Sequence, residues 1–141
     1  MSNPAFAVEV RSAGGDATGL GNAGPYTLVV DRPDGAGGRG LGFNGGQLLY
    51  LAVAGCVSND LYREAQALGI GVTRVRVTVG GDFSGDPPVS EEIAYAVEIE
   101  GDASPEELER LVRHVDAIAE IPNSLRNATP VRLAGTRIGP G

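Results

Sequence analysis

The sequence predicts an α+β fold, one domain spanning residues 1–141, with antiparallel-rich sheet and two main helices. Three observations predict it. Short segments alternate apolar and polar residues with the period of a half-buried strand. Two longer segments read as helices, one almost wholly apolar and one amphipathic. The order along the chain is strand, strand, helix, strand, strand, helix, strand.

The first strand is expected around Phe6, Val8 and Val10, which alternate with polar or small neighbours. Ser12 to Pro25 is rich in Gly, Ala, Asn and Asp and reads as a turn or loop. Tyr26 to Asp31 reads as the second strand, stopped by Pro33-Asp34-Gly35. A glycine-rich connection from Gly35 to Gly46 leads to the first helix, with Asn44 placed to cap it. That helix is expected over about Gln47–Leu68, roughly 33 Å of chain, with Gly69 as its C-terminal stop. No charged residue occurs from Asn44 to Asn59, so the helix is expected to be buried on nearly all sides.

Val75, Val77 and Val79 alternate with Arg74, Arg76 and Thr78; Ile93, Tyr95, Val97 and Ile99 do the same with Ala94, Ala96 and Glu98. The two segments suit an antiparallel hairpin with a long loop through Gly80-Gly81 and Pro87-Pro88. Ser104-Pro105-Glu106-Glu107 is a capping box with proline at the first helical position. Leu108, Leu111, Val112, Val115, Ile118 and Ala119 follow at helical spacing, with Glu106/Arg110 and Glu109/Arg113 as i, i+4 pairs on the wet face. Ile121-Pro122 is expected to break this helix, Asn123 to Arg126 to form a short helical turn, and Val131 to Leu133 a last short strand.

The net charge is −7, and every basic side chain is an arginine. The arginines are scattered, so no basic stripe follows a phosphate backbone and nucleic acid is not expected as a partner. No apolar run reaches membrane-spanning length, and no membrane partner is expected. The first residues lack the basic start and apolar core of a secretory signal, so a cytoplasmic location is expected. The glycine run before the first helix lacks the lysine of a phosphate loop, which excludes that mode of nucleotide binding. One cysteine and one histidine supply neither an internal disulfide nor a metal cluster, and no cofactor is expected.

Cys56 is the candidate functional residue. It lies in the middle of the uncharged helix, and two readings stay open: a small core side chain, or a nucleophile whose thiolate is supported by a cation or donor from elsewhere. Arg11, Arg32, Arg39 and Arg126, at loops or strand ends, are the candidate cations. His114 is expected to be solvated, opposite Leu108 and Leu111 on the second helix.

The progression Asp31-Arg32-Pro33, Gly37-Gly38, Gly42-Phe43-Asn44-Gly45-Gly46-Gln47-Leu48-Leu49, Ala54-Gly55-Cys56, Leu61 and Gly69-Ile70 resembles the OsmC/Ohr family. The likeness extends to Pro122-Asn123-Ser124-Leu125. It implies an α+β fold in which two subunits intertwine as a homodimer around long central helices. It further implies a thiol peroxidase that reduces organic hydroperoxides. In the family a first cysteine attacks the peroxide, and a second, in a C-P-x-S motif, resolves it by forming a disulfide. An arginine and a glutamate activate the first cysteine. On this likeness Cys56 stands at the attacking position. Ile121 stands where the resolving cysteine would be, and Gly46 where the glutamate would be. The family's N-terminal arginine follows a Gly-Gly pair, whereas Gly14-Gly15 precedes Asp16 here. The expected function is therefore an organic hydroperoxide or oxidative-stress role through a single cysteine. The alternative is a non-enzymatic dimer that binds a small hydrophobic ligand near Cys56.

Overall fold

The computed structural model describes residues 4–140. The chain divides into two compact units, one ending at Leu51 and the other starting at Ala52, with the boundary inside the first long helix.

The first unit is built on a three-stranded antiparallel sheet in the order β1 (Glu9–Ser12), β2 (Gly19–Ala23), β3 (Tyr26–Val30). The strand expected around Phe6 starts later, and Phe6 and Val8 are exposed outside it. The stretch from Ser12 to Pro25, expected as loop, contains β2, which pairs on both sides. Its composition hides it, because Gly19, Gly21 and Ala23 have little β propensity. The glycines have a steric reason. A Cβ at Gly19 would stand 2.9 Å from Val10 Cγ1, and one at Gly21 would stand 3.2 Å from Val30 Cγ2. Side chains of the flanking strands therefore lie over this one. Gly24-Pro25 forms a two-residue turn from β2 to β3, with Gly24 at φ +57°.

Helix α1 runs Gly45–Ala67. Its start is a reciprocal cap. Asn44 Oδ1 accepts from the Gln47 amide at 2.9 Å, and Gln47 Oε1 accepts from the Asn44 amide at 3.0 Å. Its end is a Schellman turn, with Gly69 at φ +71°. There the Ile70 amide donates to the Ala65 carbonyl at 2.9 Å and the Gly69 amide to that of Gln66 at 3.2 Å. The expectation that α1 is buried all round is not met within one chain. Val53, Val57, Asp60, Leu61 and Ala65 are buried, while Leu51 and Tyr62 are 49% and 45% exposed.

In the second unit, α1 is followed by β4 (Gly71–Gly80), β5 (Phe83–Ser84), β6 (Val89–Ser90) and β7 (Ala94–Asp102). β4 and β7 form the expected antiparallel pair, with Val75 opposite Ile99, Val77 opposite Val97 and Val79 opposite Tyr95. The long loop between them carries its own small hairpin, β5–β6. A register shift between Val72 and Arg74 resets the alternation, so Val72 and Val75, three residues apart, both pack toward the core. Arg74 and Arg76 pair with Glu100 and Glu98 on the exposed face.

Helix α2 (Pro105–Ile118) begins with the expected capping box. Ser104 Oγ accepts from the Glu107 amide at 3.2 Å, and Glu107 Oε2 accepts from the Ser104 amide at 2.9 Å. Leu111, Val115 and Ala119 join Val57, Leu61 and Ala65 of α1 in one buried cluster, against which Ile70, Val72, Val75, Val77, Tyr95, Val97 and Ile99 pack. Ile118, expected inside, is 38% exposed. Of the two expected wet-face pairs, Glu109–Arg113 forms at 3.0 Å, and no Glu106–Arg110 ion pair occurs among the described residues. Arg110 instead lines a hollow with Leu68, Ile70, Leu111 and His114.

The break after α2 falls at Ala119, which is extended, and α3 (Glu120–Arg126) restarts immediately. Pro122 does not itself stop a helix; it lies in the first turn of α3, where its missing N–H is not needed. The expected last strand does not form. Val131 to Leu133 has no regular structure, and Val131 and Leu133 are 96% and 82% exposed. Among the described residues this three-residue apolar alternation has no ladder partner to order it.

Candidate thiol site

Cys56 sits in mid-helix on α1, half-buried, packed beside the cluster of Val57, Leu61, Leu111 and Val115. Its thiol Sγ lies 4.0 Å from Asp60 Oδ2, one helical turn on. Asp60 is buried, and its other oxygen, Oδ1, is 3.2 Å from Arg63 Nη1. The polar chain continues: Arg63 Nε is 3.6 Å from Glu64 Oε2, and Glu64 Oε1 is 2.9 Å from His114 Nε2 on α2. The hydrogen bond from His114, reinforced by the charge of Arg63, holds the Glu64 carboxyl below its usual range.

His114 is half-exposed, as expected for a solvated face, and it also ties α2 to α1 through Glu64. The residue that sequence reading missed is Asp60. The signal was available: at i, i+4 from a cysteine on a helix, a carboxylate shares its face.

Three of the four candidate arginines are held by acidic partners. Arg126 donates to Asp116 Oδ1 at 2.6 Å, to the Asp116 carbonyl at 2.9 Å and to Asn123 Oδ1 at 2.9 Å, which fastens α3 to α2. Tyr95 donates its hydroxyl to the same Asp116 oxygen. Burial, then this bond to a carboxylate, pushes the Tyr95 phenol up to about 12. Arg39 is held by Asp16 at 2.8 Å, which draws the Asp16 carboxyl down to about 2. Arg11 pairs with Glu9 at 3.4 Å. Arg32 lines a cavity of about 420 Å³ in the first unit, together with Val30, Asp31, Asn44, Gly45 and Gly46.

Asp31 organises the wall of that cavity. Its buried carboxylate accepts from the Thr18 hydroxyl at 3.0 Å and from the amides of Arg32, Arg39 and Leu41 at 2.7, 3.2 and 3.1 Å. Burial alone would push its carboxyl up, but the Leu41 and Arg32 amides, with Thr18 and Arg39, outweigh it and the net shift is down. The close wrapping explains Gly38, where a Cβ would collide with the Arg32 carbonyl and with Asp31 Oδ1. A glutamate in place of Gly46 would stand at this cavity; here that position is bare backbone. Ile121 is half-buried in the first turn of α3. Among the described residues no group of three or more His, Cys, Asp or Glu is placed to hold a metal ion, and no helix is long and apolar enough to cross a membrane.

A family profile described as OsmC-like protein matches residues 37–134. No curated protein matches the sequence. Among solved structures, an OsmC-like protein from Mycoplasma pneumoniae superposes with a TM-score of 0.75 at 19% identity, covering 91% of this chain and 92% of its own. An organic hydroperoxide resistance protein OsmC from Legionella pneumophila gives 0.63 at 18% identity, over 89% and 92% of the two chains. The organic hydroperoxide resistance protein OhrB of Bacillus subtilis gives 0.58 at 20%, over 86% and 90%. At these identities the likeness establishes the fold.

Proposed function

The chain belongs to the OsmC-like protein family, and on that premise we propose that it reduces organic hydroperoxides through Cys56 in a one-cysteine cycle. The observation that carries this reading is the setting of Cys56: a half-buried thiol against apolar side chains, with a buried carboxylate one turn away. An apolar surround suits an alkyl or aryl hydroperoxide. Solved structures with this fold include proteins named for organic hydroperoxide resistance. The Cys56 sulfur bonds to the terminal peroxide oxygen as the O–O bond breaks; sulfur becomes a sulfenic acid, and the alcohol leaves with the thiol's proton. With one cysteine in the chain, an external thiol must condense with the sulfenic acid, releasing water, and a second thiol must then reduce the mixed disulfide. Such a cycle belongs in a reducing compartment, the cytoplasm.

Excess cumene hydroperoxide is expected to add one and then two oxygens at Cys56, since no second thiol in the chain intercepts the sulfenic acid. Intact mass and peptide mapping measure this, the mapping separating Cys56 from the single methionine, Met1. Cys56→Ser is expected to take up no oxygen at that position. An unmodified Cys56 after prolonged exposure would overturn the peroxidase reading in favour of a small hydrophobic ligand held without turnover.

The protein is further proposed to work as a homodimer. Leu51 and Tyr62 of α1 and the strand residues Val10, Tyr26 and Leu28 are exposed in the single chain, and a second copy is the partner that would cover them. Sedimentation at micromolar concentration is expected to give a dimer; a stable folded monomer there would remove the proposal.

A further inference from the structure

We propose that Asp60 is the proton acceptor for Cys56, with Arg63 as the residue that positions it. The inference rests on the reading of Cys56 as the reacting thiol. Its support is geometric. Cys56, Asp60 and Arg63 occur at i, i+4 and i+7 on α1, so one rigid helix face holds all three. Asp60 is 7% exposed, and a carboxylate so buried needs partners for both oxygens. Arg63 Nη1 takes Oδ1 at 3.2 Å, and among the described residues the polar neighbour of Oδ2 is the Cys56 thiol at 4.0 Å. A nucleophile beside a base, with the base oriented by a third group, is the general form of an activated nucleophile. Here the orienting group is itself anchored, since Arg63 also reaches Glu64, which is held by His114 across on α2.

The protonic step balances without another group. Asp60 Oδ2 takes the thiol proton as sulfur attacks the terminal peroxide oxygen, and returns it to the alkoxide released by O–O cleavage. Sulfur loses two electrons, the peroxide gains them, and the products are Cys56 sulfenic acid and an alcohol. Arg63 stays protonated throughout and keeps Oδ2 turned to the thiol. This arrangement makes no use of the family's glutamate, whose position is Gly46, and it differs from one in which an arginine contacts the sulfur. On the elements packed against α1, His114 of α2 is bound to Glu64, and Asp116 of α2 is bound by Tyr95 of β7 and by Arg126. Of the charges of β4 and β7, Arg74 and Arg76 pair with Glu100 and Glu98 on the exposed face.

The test uses the full chain and its Asp60→Asn, Asp60→Glu and Arg63→Gln variants, with folding checked by circular dichroism. Two rates are measured across pH: iodoacetamide alkylation of Cys56, and sulfenic acid formation with cumene hydroperoxide, trapped and read by mass. Asp60→Asn is expected to slow both by about a hundredfold at neutral pH. The gap should close in alkali, where hydroxide removes the thiol proton, and Asp60→Glu should recover part of the loss. A merely structural Asp60 would not produce that pH-dependent gap. Should Asp60→Asn fail to fold, Arg63→Gln decides, because the Arg63 side chain is largely exposed; it is expected to slow alkylation, and an unchanged rate would overturn the proposal. A folded Asp60→Asn protein that alkylates as fast as the parent, or faster, would also overturn it. If the parent ignores hydroperoxide while its alkylation still depends on Asp60, the peroxidase reading falls and the role of Asp60 stands.

Discussion

Asp31→Ala is expected to destabilise the protein by about 3–5 kcal/mol, because it takes one buried acceptor from four donors at once. The Thr18 hydroxyl and the Arg32, Arg39 and Leu41 amides all lose their acceptor. Water cannot replace it freely, since the carboxylate is 2% exposed and the loop folds tightly round it. Urea denaturation of parent and variant measures the difference. The same site predicts acid sensitivity. The Asp31 and Asp16 carboxyls are held below their ordinary value of 3.8 in the folded chain, Asp16 at about 2. The unfolded chain therefore binds their protons first as pH falls. Their stabilisation is fully present above 3.8 and is lost as the pH drops through the lowered values, toward about 2. Asp31→Ala should flatten this part of the stability–pH curve. A variant whose denaturation midpoint matches the parent's at neutral pH would mean that the loop does not depend on this carboxylate.

Leu111→Ala is expected to cost about 2–5 kcal/mol, the range for a leucine emptied from a closed core. Leu111 is 1% exposed and packs in the cluster with Val57, Leu61 and Val115, where α2 meets α1. The cost should rise toward the upper end if the surrounding side chains do not collapse into the space. Arg113→Ala, on the wet face of the same helix and 78% exposed at its side chain, is the control and should stay within about 0.5 kcal/mol. Equal losses in the two variants would contradict the facing of α2.

Much of the second unit was legible in the sequence because its signals are local. The capping box at Ser104, the Gly69 stop and the period-two valines each state a backbone preference within a few residues, and the structure keeps them all. The first unit was less legible. β2 is made of glycine and alanine, and its reason for being a strand lies in the side chains of β1 and β3, remote in sequence. At the candidate site Cys56 was found from the uncharged run around it, and the likeness to the OsmC/Ohr family gave it a role to test. Asp60 lies just beyond that run; helical spacing puts it on the face of Cys56, and only packing makes it a buried carboxylate. Arg110 is expected to pair with Glu106, and in the folded chain it lines a hollow with Leu68 and Ile70 instead.

By itself the sequence determined the α+β class, the limits of both long helices to within about two residues, the β4–β7 hairpin and the single reactive candidate. These follow from periodicity, capping and the count of cysteines, which need no knowledge of distant neighbours. Tertiary structure alone decided which face of α1 is buried, that Asp31 is wrapped by four donors, that Arg126 is spent on Asp116, and that the Asp60 carboxylate is buried. The physical reason is the same in each case. A charged or apolar side chain takes its role from what surrounds it in space, and burial, which sets the strength of every such interaction, is a property of the assembled chain.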